Sequence, residues 1–300
     1  MSMILRASYW TWKLLNGESI PDEMPTAYLM LDGECMYNCA YCTHAKDSES
    51  DNSYLSRVVW KLIELKDLNS ISLKFKRVCL QTVNYKGYFE DLLNVVKRLR
   101  GSDTNNKLLV SVSTRVKNEK EIDVLMNSGV NDLGIAIDVV SERLHRLYRS
   151  WPLEYTLSLI RYGAEKYPGR ITTHIIVGLG ETDKELYEIF QLMKTYNVKI
   201  ALFAFTPVRG TRLAHLTPPS LERYRKIQIL RFLMFETNET PEVDFDESGN
   251  LKTLKYDNSI DISKAFLTSG CTHCTRPYYN DSPRNKVLYN YHTIIGTKKE

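Results

Sequence analysis

The chain has 300 residues, of which 43% are hydrophobic and 25% charged, a composition that supports a large core and excludes a wholly disordered chain. Its 40 basic and 36 acidic residues leave a net charge of +4 and are dispersed, so no block recruits nucleic acid or an anionic membrane. No apolar run reaches bilayer length, and Met1–Trp12 lacks the apolar core of a signal peptide, so the expectation is a mature cytoplasmic protein in a reducing setting.

Six apolar, β-rich runs follow one another at Ala27–Leu31, Arg77–Gln81, Lys107–Ser113, Leu133–Asp138, Ile171–Val177 and Lys199–Phe205. Their Val, Ile and Leu content suits parallel strands buried on both faces. Between them, Tyr54–Asp67, Tyr88–Arg100, Glu119–Asn127, Glu154–Tyr167 and Asp183–Tyr196 carry helical spacing. Such alternation implies right-handed βαβ units. Six units suggest an α/β fold of the partial (β/α)6 TIM-barrel type, although an open doubly wound sheet gives a similar pattern. A further helix, Leu221–Phe235, takes Ser220 as its N-cap. From Asn238 onward Asp, Ser, Gly and Asn become common. The expected organisation is a core, residues 1–237, with an N-terminal lead-in. A loop-rich extension, residues 238–300, covers the barrel mouth and frays over Thr297–Glu300.

Five of the six cysteines fall in two tight clusters. A chain of this size in a reducing compartment has no need of disulfides, and clustered cysteines there favour metal or redox chemistry. Cys35, Cys39 and Cys42 form C-x₃-C-x₂-C directly after the first predicted strand, where barrels and open sheets place active sites. Three thiolates can hold three irons of a [4Fe-4S] cluster and leave the fourth iron open. A zinc site completed by His44 is the alternative. Cys79 stands alone in the second strand, where a small core residue is the plain reading. Cys271 and Cys274 form C-x₂-C, which alone suits a zinc half-site helped by His273.

C-x₃-C-x₂-C with the aromatic Tyr41 before its third cysteine is the signature of the radical S-adenosylmethionine (SAM) superfamily, and on those residues the chain is identified as a member. The resemblance implies that Cys35, Cys39 and Cys42 bind a [4Fe-4S] cluster whose open iron holds SAM, cleaved to a 5′-deoxyadenosyl radical. His174–Thr182 resembles the fifth-strand motif beside the adenine, which points to Val177 and Gly178; an ordinary buried strand ended by a glycine turn is the bland reading. Asp138 resembles the fourth-strand carboxylate that binds the SAM ribose, with a helix cap as the alternative. Arg149 is similar to an arginine that reaches the SAM carboxylate.

Phe205–Leu213 followed by Pro218, Pro219 and Ser220 looks like the sixth-strand end of the biotin synthase-like branch, although Ala136 stands where biotin synthase carries an asparagine. In that branch a cysteine on the second strand points at a sulfur-donating cluster. The resemblance thus implies that Cys79, Cys271 and Cys274 are catalytic, holding a sacrificial auxiliary cluster with Ser269, His273, Arg276 or Ser282 as a weak fourth ligand. Cys271–Asn280 resembles the tail of the two-component, archaeal-type lipoyl synthases, and the sequence lacks the additional N-terminal cysteine motif of the single-chain type. That likeness implies a sulfur-inserting enzyme of lipoate biosynthesis. Its partners would be an octanoylated lipoyl carrier domain or peptide, a second radical SAM subunit and an electron donor such as a ferredoxin. The rivals are a biotin synthase-like enzyme acting on another small substrate and a non-catalytic zinc-binding scaffold.

Overall fold

The computed structural model describes residues 4–237 and 239–292. The chain opens with strand β1 (Ile4–Ser8) and helix α1 (Tyr9–Leu15), then enters β2 (Thr26–Asp32), buried along its whole length. A hairpin of β3 (Tyr54–Leu55) and β4 (Val58–Ile63) leads through a 3₁₀ turn at Leu65–Ser70 and the single-turn α2 (Ile71–Lys74) into β5 (Arg77–Thr82). Next come α3 (Tyr88–Ser102), β6 (Leu109–Ser113), α4 (Glu119–Asn127), β7 (Asp132–Gly134), α5 (Glu142–Arg149), α6 (Leu153–Lys166) and β8 (Ile171–Val177). The core closes with α7 (Asp183–Thr195), β9 (Lys199–Ala204) and α8 (Leu221–Glu236).

Strands β2-β5-β6-β7-β8-β9 lie side by side and all parallel. β1, β4 and β3 extend the sheet beyond β2 by antiparallel pairing. The terminal strands β3 and β9 do not pair, so the curled nine-stranded sheet forms a partial barrel. The buried core runs through both layers, from Leu29 and Leu31 on β2 to Leu92, Val95 and Leu99 on α3 and Phe190 on α7. Ser220 caps α8 as expected, its hydroxyl accepting the Arg223 N–H at 3.2 Å.

Two expectations fail locally. Tyr54–Asp67 is a hairpin, not a helix. Its turn sets Ser56 at φ +54°, and the β-favouring Val58-Val59-Trp60 run completes the sheet beside β1. The fourth strand stops at Gly134 instead of running to Asp138. There Arg149 donates to the carbonyls of Ala136 and Ile137, and the Thr173 hydroxyl takes the Ile137 N–H, so side chains interrupt the ladder, which returns as a single bridge where the Asp138 N–H bonds the His174 carbonyl. The extension contains a hairpin, β10 (Glu242–Phe245) and β11 (Leu251–Lys255), and a 3₁₀ turn at Ile262–Phe266. Beyond that turn it bonds to Thr26 and Tyr28 of β2, to Ser56 in the β3–β4 turn and to Leu202 of β9, so it lies in the gap between the two edges of the partial barrel. The expected fraying of Thr297–Glu300 falls outside the described residues.

Candidate active site

The loop after β2 is held from three sides. The Met36 N–H bonds the Asn84 carbonyl in the loop just after β5, and the Ala40 N–H bonds the Tyr148 carbonyl of α5. From the loop after β9, the Leu213 N–H and the Arg212 guanidinium donate to the carbonyls of Ala40 and Asn38. A small apolar cluster of Ala40, Val139, Leu144, Leu179, Phe205 and Leu213 seats the same loop. With its backbone bonded elsewhere, the loop presents Cys35, Cys39 and Cys42 to the barrel interior. Burial pushes the Cys35 and Cys42 thiols up, and at both the field of Cys39 adds to the effect.

The second group approaches the same interior from the other end of the strands. Cys79 on β5 is in register with Tyr28 and Ser111. Cys274 Sγ lies 3.8 Å from the Tyr28 hydroxyl. Cys271 is raised to about 11 by burial and by the fields of Asp132 and Cys274. Cys79 is raised by burial and by Cys274 and Cys271, so the three thiols feel one another. Their neighbours Thr26, Arg77, Ser111 and Asp132 mark the N-terminal half of the parallel strands. All six cysteines line one cavity of about 290 Å³, and all six are free thiols.

This donor set fits iron–sulfur clusters. Crowded buried thiols with raised pKa values gain from a bound cation that stabilises their thiolates. The wall also carries Arg77, Arg149 and Arg276, each with a buried Nε–H lacking a partner among the described residues. Unpaired buried donors of that kind call for acceptor atoms inside the cavity. Among the described residues no three His, Cys, Asp or Glu side chains converge on a point for a single ion. A cluster spreads its ligands over several irons and needs no such point. His44 faces Asp32, with Nδ1 3.4 Å from Oδ1, and exposed His273 does not line the cavity, so neither zinc arrangement is assembled.

Tyr41, Asp138 and Arg149 form one unit on the wall. The Tyr41 hydroxyl donates to Asp138 Oδ2 at 2.6 Å, and Arg149 donates to the same oxygen. Asp138 holds φ at +56° and is not the cap of α5, whose N-cap is Ser141. Val177 and Gly178 do not line the cavity. From β8 its wall takes Thr172, His174 and Ile176, because alternation turns Val177 to the outer face. Gly178, at φ +107°, closes a turn with Glu181, and a Cβ there would meet Pro219 Cδ at 2.7 Å. Of the fourth-ligand candidates, Arg276 lines the cavity; the Ser269 hydroxyl is engaged with the Leu202 N–H, and Ser282 does not line it.

Sequence reading missed several wall residues. Arg115 lies between the rings of Tyr37, 3.9 Å away, and Trp151, 4.5 Å away. Its place just beyond the end of β6 was a signal that could have found it. Arg77, paired with Asp132 at 2.6 Å, and Tyr279, edge-on to Phe203, carried no such signal because only the fold brings their partners near.

A curled sheet with a cysteine loop at the C-terminal end of its first parallel strand defines a partial-barrel scaffold built around a thiol-lined site. Residues 33–193, more than half of the chain, match the Radical SAM superfamily model, and the chain belongs to that superfamily. It is 22% identical over 243 residues to biotin synthase of Persephonella marina, covering 80% of this chain and 70% of that protein. It is 29% identical over 148 residues to lipoyl synthase of Francisella tularensis subsp. novicida, covering 47% of this chain and 44% of that protein, so it spans less than half the length of that relative. Among solved structures, the FeFe-hydrogenase maturase HydG shares the fold with a TM-score of 0.58 at 13% identity, over 70% of this chain and 50% of that one. Methylornithine synthase does so with a TM-score of 0.54 at 19% identity, over 67% and 59%. Among the described residues no helix is long and apolar enough to cross a membrane.

Proposed function

We propose that the chain is a sulfur-inserting radical SAM enzyme, most like one subunit of a two-component lipoyl synthase that acts on an octanoyl chain carried by a lipoyl domain or peptide. The observation that carries this reading is two cysteine triads facing one cavity from opposite ends of its strands. The likeness to biotin and lipoyl synthases supports it. When bound, SAM on the first cluster supplies the hydrogen-abstracting radical, and the auxiliary cluster supplies sulfide.

The chain's own residues hold and orient. Cys35, Cys39 and Cys42 would hold the first cluster, and Cys79, Cys271 and Cys274 the second. Tyr41 and Arg149 fix the Asp138 carboxylate, which would bind SAM, while Ile176, Phe203 and Phe205 line the cavity with apolar surface that excludes water. A second radical SAM subunit and a ferredoxin-like electron donor complete the proposed system. A second reading, a biotin synthase-like enzyme with a small free substrate, is favoured by the longer match to biotin synthase.

The test is anaerobic reconstitution with SAM, reductant and an octanoylated lipoyl-domain peptide, with and without a candidate partner, read by mass spectrometry. The wild type should carry about eight irons, two four-iron clusters. Joint replacement of Cys35, Cys39 and Cys42 by Ala should abolish 5′-deoxyadenosine formation. Joint replacement of Cys79, Cys271 and Cys274 by Ala should keep it and lose sulfur transfer. Sulfur insertion by that second variant would remove the auxiliary-cluster reading. Turnover of a free small substrate, with the peptide inert, would favour the second reading.

A further inference from the structure

A second cavity, about 190 Å³, lies between the β1–β4 side of the sheet and the tail. Trp10, Met24, Tyr28, Val58, Trp60 and Tyr278 give it an aromatic and apolar wall. It reaches the surface beside the exposed Arg57 and Pro283. At its inner end Arg276 and Tyr279 belong to both its wall and that of the cysteine-lined cavity. One feature, an unpaired buried donor in its wall, points to a ligand. Its small volume limits any occupant to a narrow chain. Trp60, only 1% exposed, has an indole N–H with no partner among the described residues. A buried donor left unpaired is costly and rare, and a carbonyl oxygen of a bound molecule would satisfy it.

We propose that this chamber is the entry site for the substrate's acyl chain: it takes the carbonyl-proximal half of a medium-length saturated acyl amide, with the Trp60 N–H for the carbonyl oxygen, and passes the distal carbons by Tyr279 to the cysteines. The inference rests on the acyl-chain reading above. The apolar wall holds the methylenes, Trp60 fixes their register, and a turn of the Tyr279 ring, which lies edge-on to Phe203 with centroids 5.5 Å apart, joins the two cavities.

The probe is N-octanoyl-lysine amide, with N-acetyl-lysine amide as the chainless control, titrated against the full chain by tryptophan fluorescence. Val58→Phe, which fills the chamber, should weaken octanoyl binding about 10-fold or more, the order of one lost apolar contact region. Trp60→Phe should weaken it about 3- to 10-fold, the order of one neutral hydrogen bond. In the wild type, a photoreactive diazirine at the third carbon of the chain should label Met24, Val58 or Tyr278, a readout that stands even if Val58→Phe fails to fold. Wild-type affinity in both variants, or labelling confined to the wall of the cysteine-lined cavity, would overturn the proposal. Chamber-dependent binding with no sulfur product would uphold the site and remove the lipoate reading. Sulfur insertion with no effect of either variant would do the reverse.

Discussion

At Asp138 one carboxylate oxygen serves two partners, the Tyr41 hydroxyl and the guanidinium of Arg149, whose side chain is 6% exposed. Asp138→Ala would leave that guanidinium buried without its counter-charge, a loss of about 3–5 kcal/mol. The urea midpoint of the variant should fall accordingly, and SAM affinity should fall with it; an unchanged midpoint would contradict the buried pair. Asp32 is a second such centre, beside Arg6 and His44. Burial would raise its carboxyl, but the hydrogen bonds and charges of His44 and Arg6 outweigh burial and hold it below the ordinary carboxylate range. A depressed folded value contributes stability above the unfolded value of about 3.9, lost as pH falls through the folded value. Wild-type stability should therefore drop more steeply below about pH 4 than that of Asp32→Asn, measured as urea midpoints across pH.

Among the elements, the loop after β9 decides where the cysteine loop sits. Gly210 stands at φ +88°, and a Cβ on it would lie 2.6 Å from the Ser50 N and 2.7 Å from the Glu49 carbonyl carbon. Its carbonyl in turn accepts the Glu49 N–H at 2.9 Å. Gly210→Ala should cost about 1–3 kcal/mol in strain and displace the segment just after Cys42. Iron content after reconstitution should fall toward the level of one cluster, with loss of 5′-deoxyadenosine formation. Full iron and full SAM cleavage would show that the two loops move independently. Helix α5 works similarly, because it aims Arg149 at the broken strand and holds Ala40 through Tyr148.

Across the whole molecule, the tail is tied to the barrel by bonds to Thr26, Ser56 and Leu202 and by a pair that share the Tyr28 hydroxyl. The backbone N–H groups of Thr275 and Arg276 both donate to the Tyr28 oxygen at 2.8 Å. Tyr28→Phe would orphan two donors at about 1–3 kcal/mol each. The tail should loosen and the second cluster should load poorly, while the first cluster keeps its iron. Iron analysis and Mössbauer spectra of the reconstituted variant check this, and normal loading of both clusters would separate tail position from Tyr28.

The sequence by itself determined the parallel strands, helices α3, α4, α6, α7 and α8 but not α5, the N-cap at Ser220 and the first cysteine motif. Those features are local: period, capping chemistry and the spacing of thiols within one loop are all written in contiguous residues. The β3–β4 hairpin escaped it because Val, Trp and Leu at those spacings serve either period, and the choice is made by pairing with β1. The fourth strand's early end, and the outward turn of Val177, depend on Arg149, Thr173 and the sheet's facing. Above all, only the tertiary structure brings Cys79 together with Cys271 and Cys274, across nearly two hundred residues of chain, and sets Arg115, Arg276 and Tyr279 on the wall around them. Contacts of that separation arise from how the sheet curls and where the tail crosses its open side, and no contiguous stretch of residues encodes them.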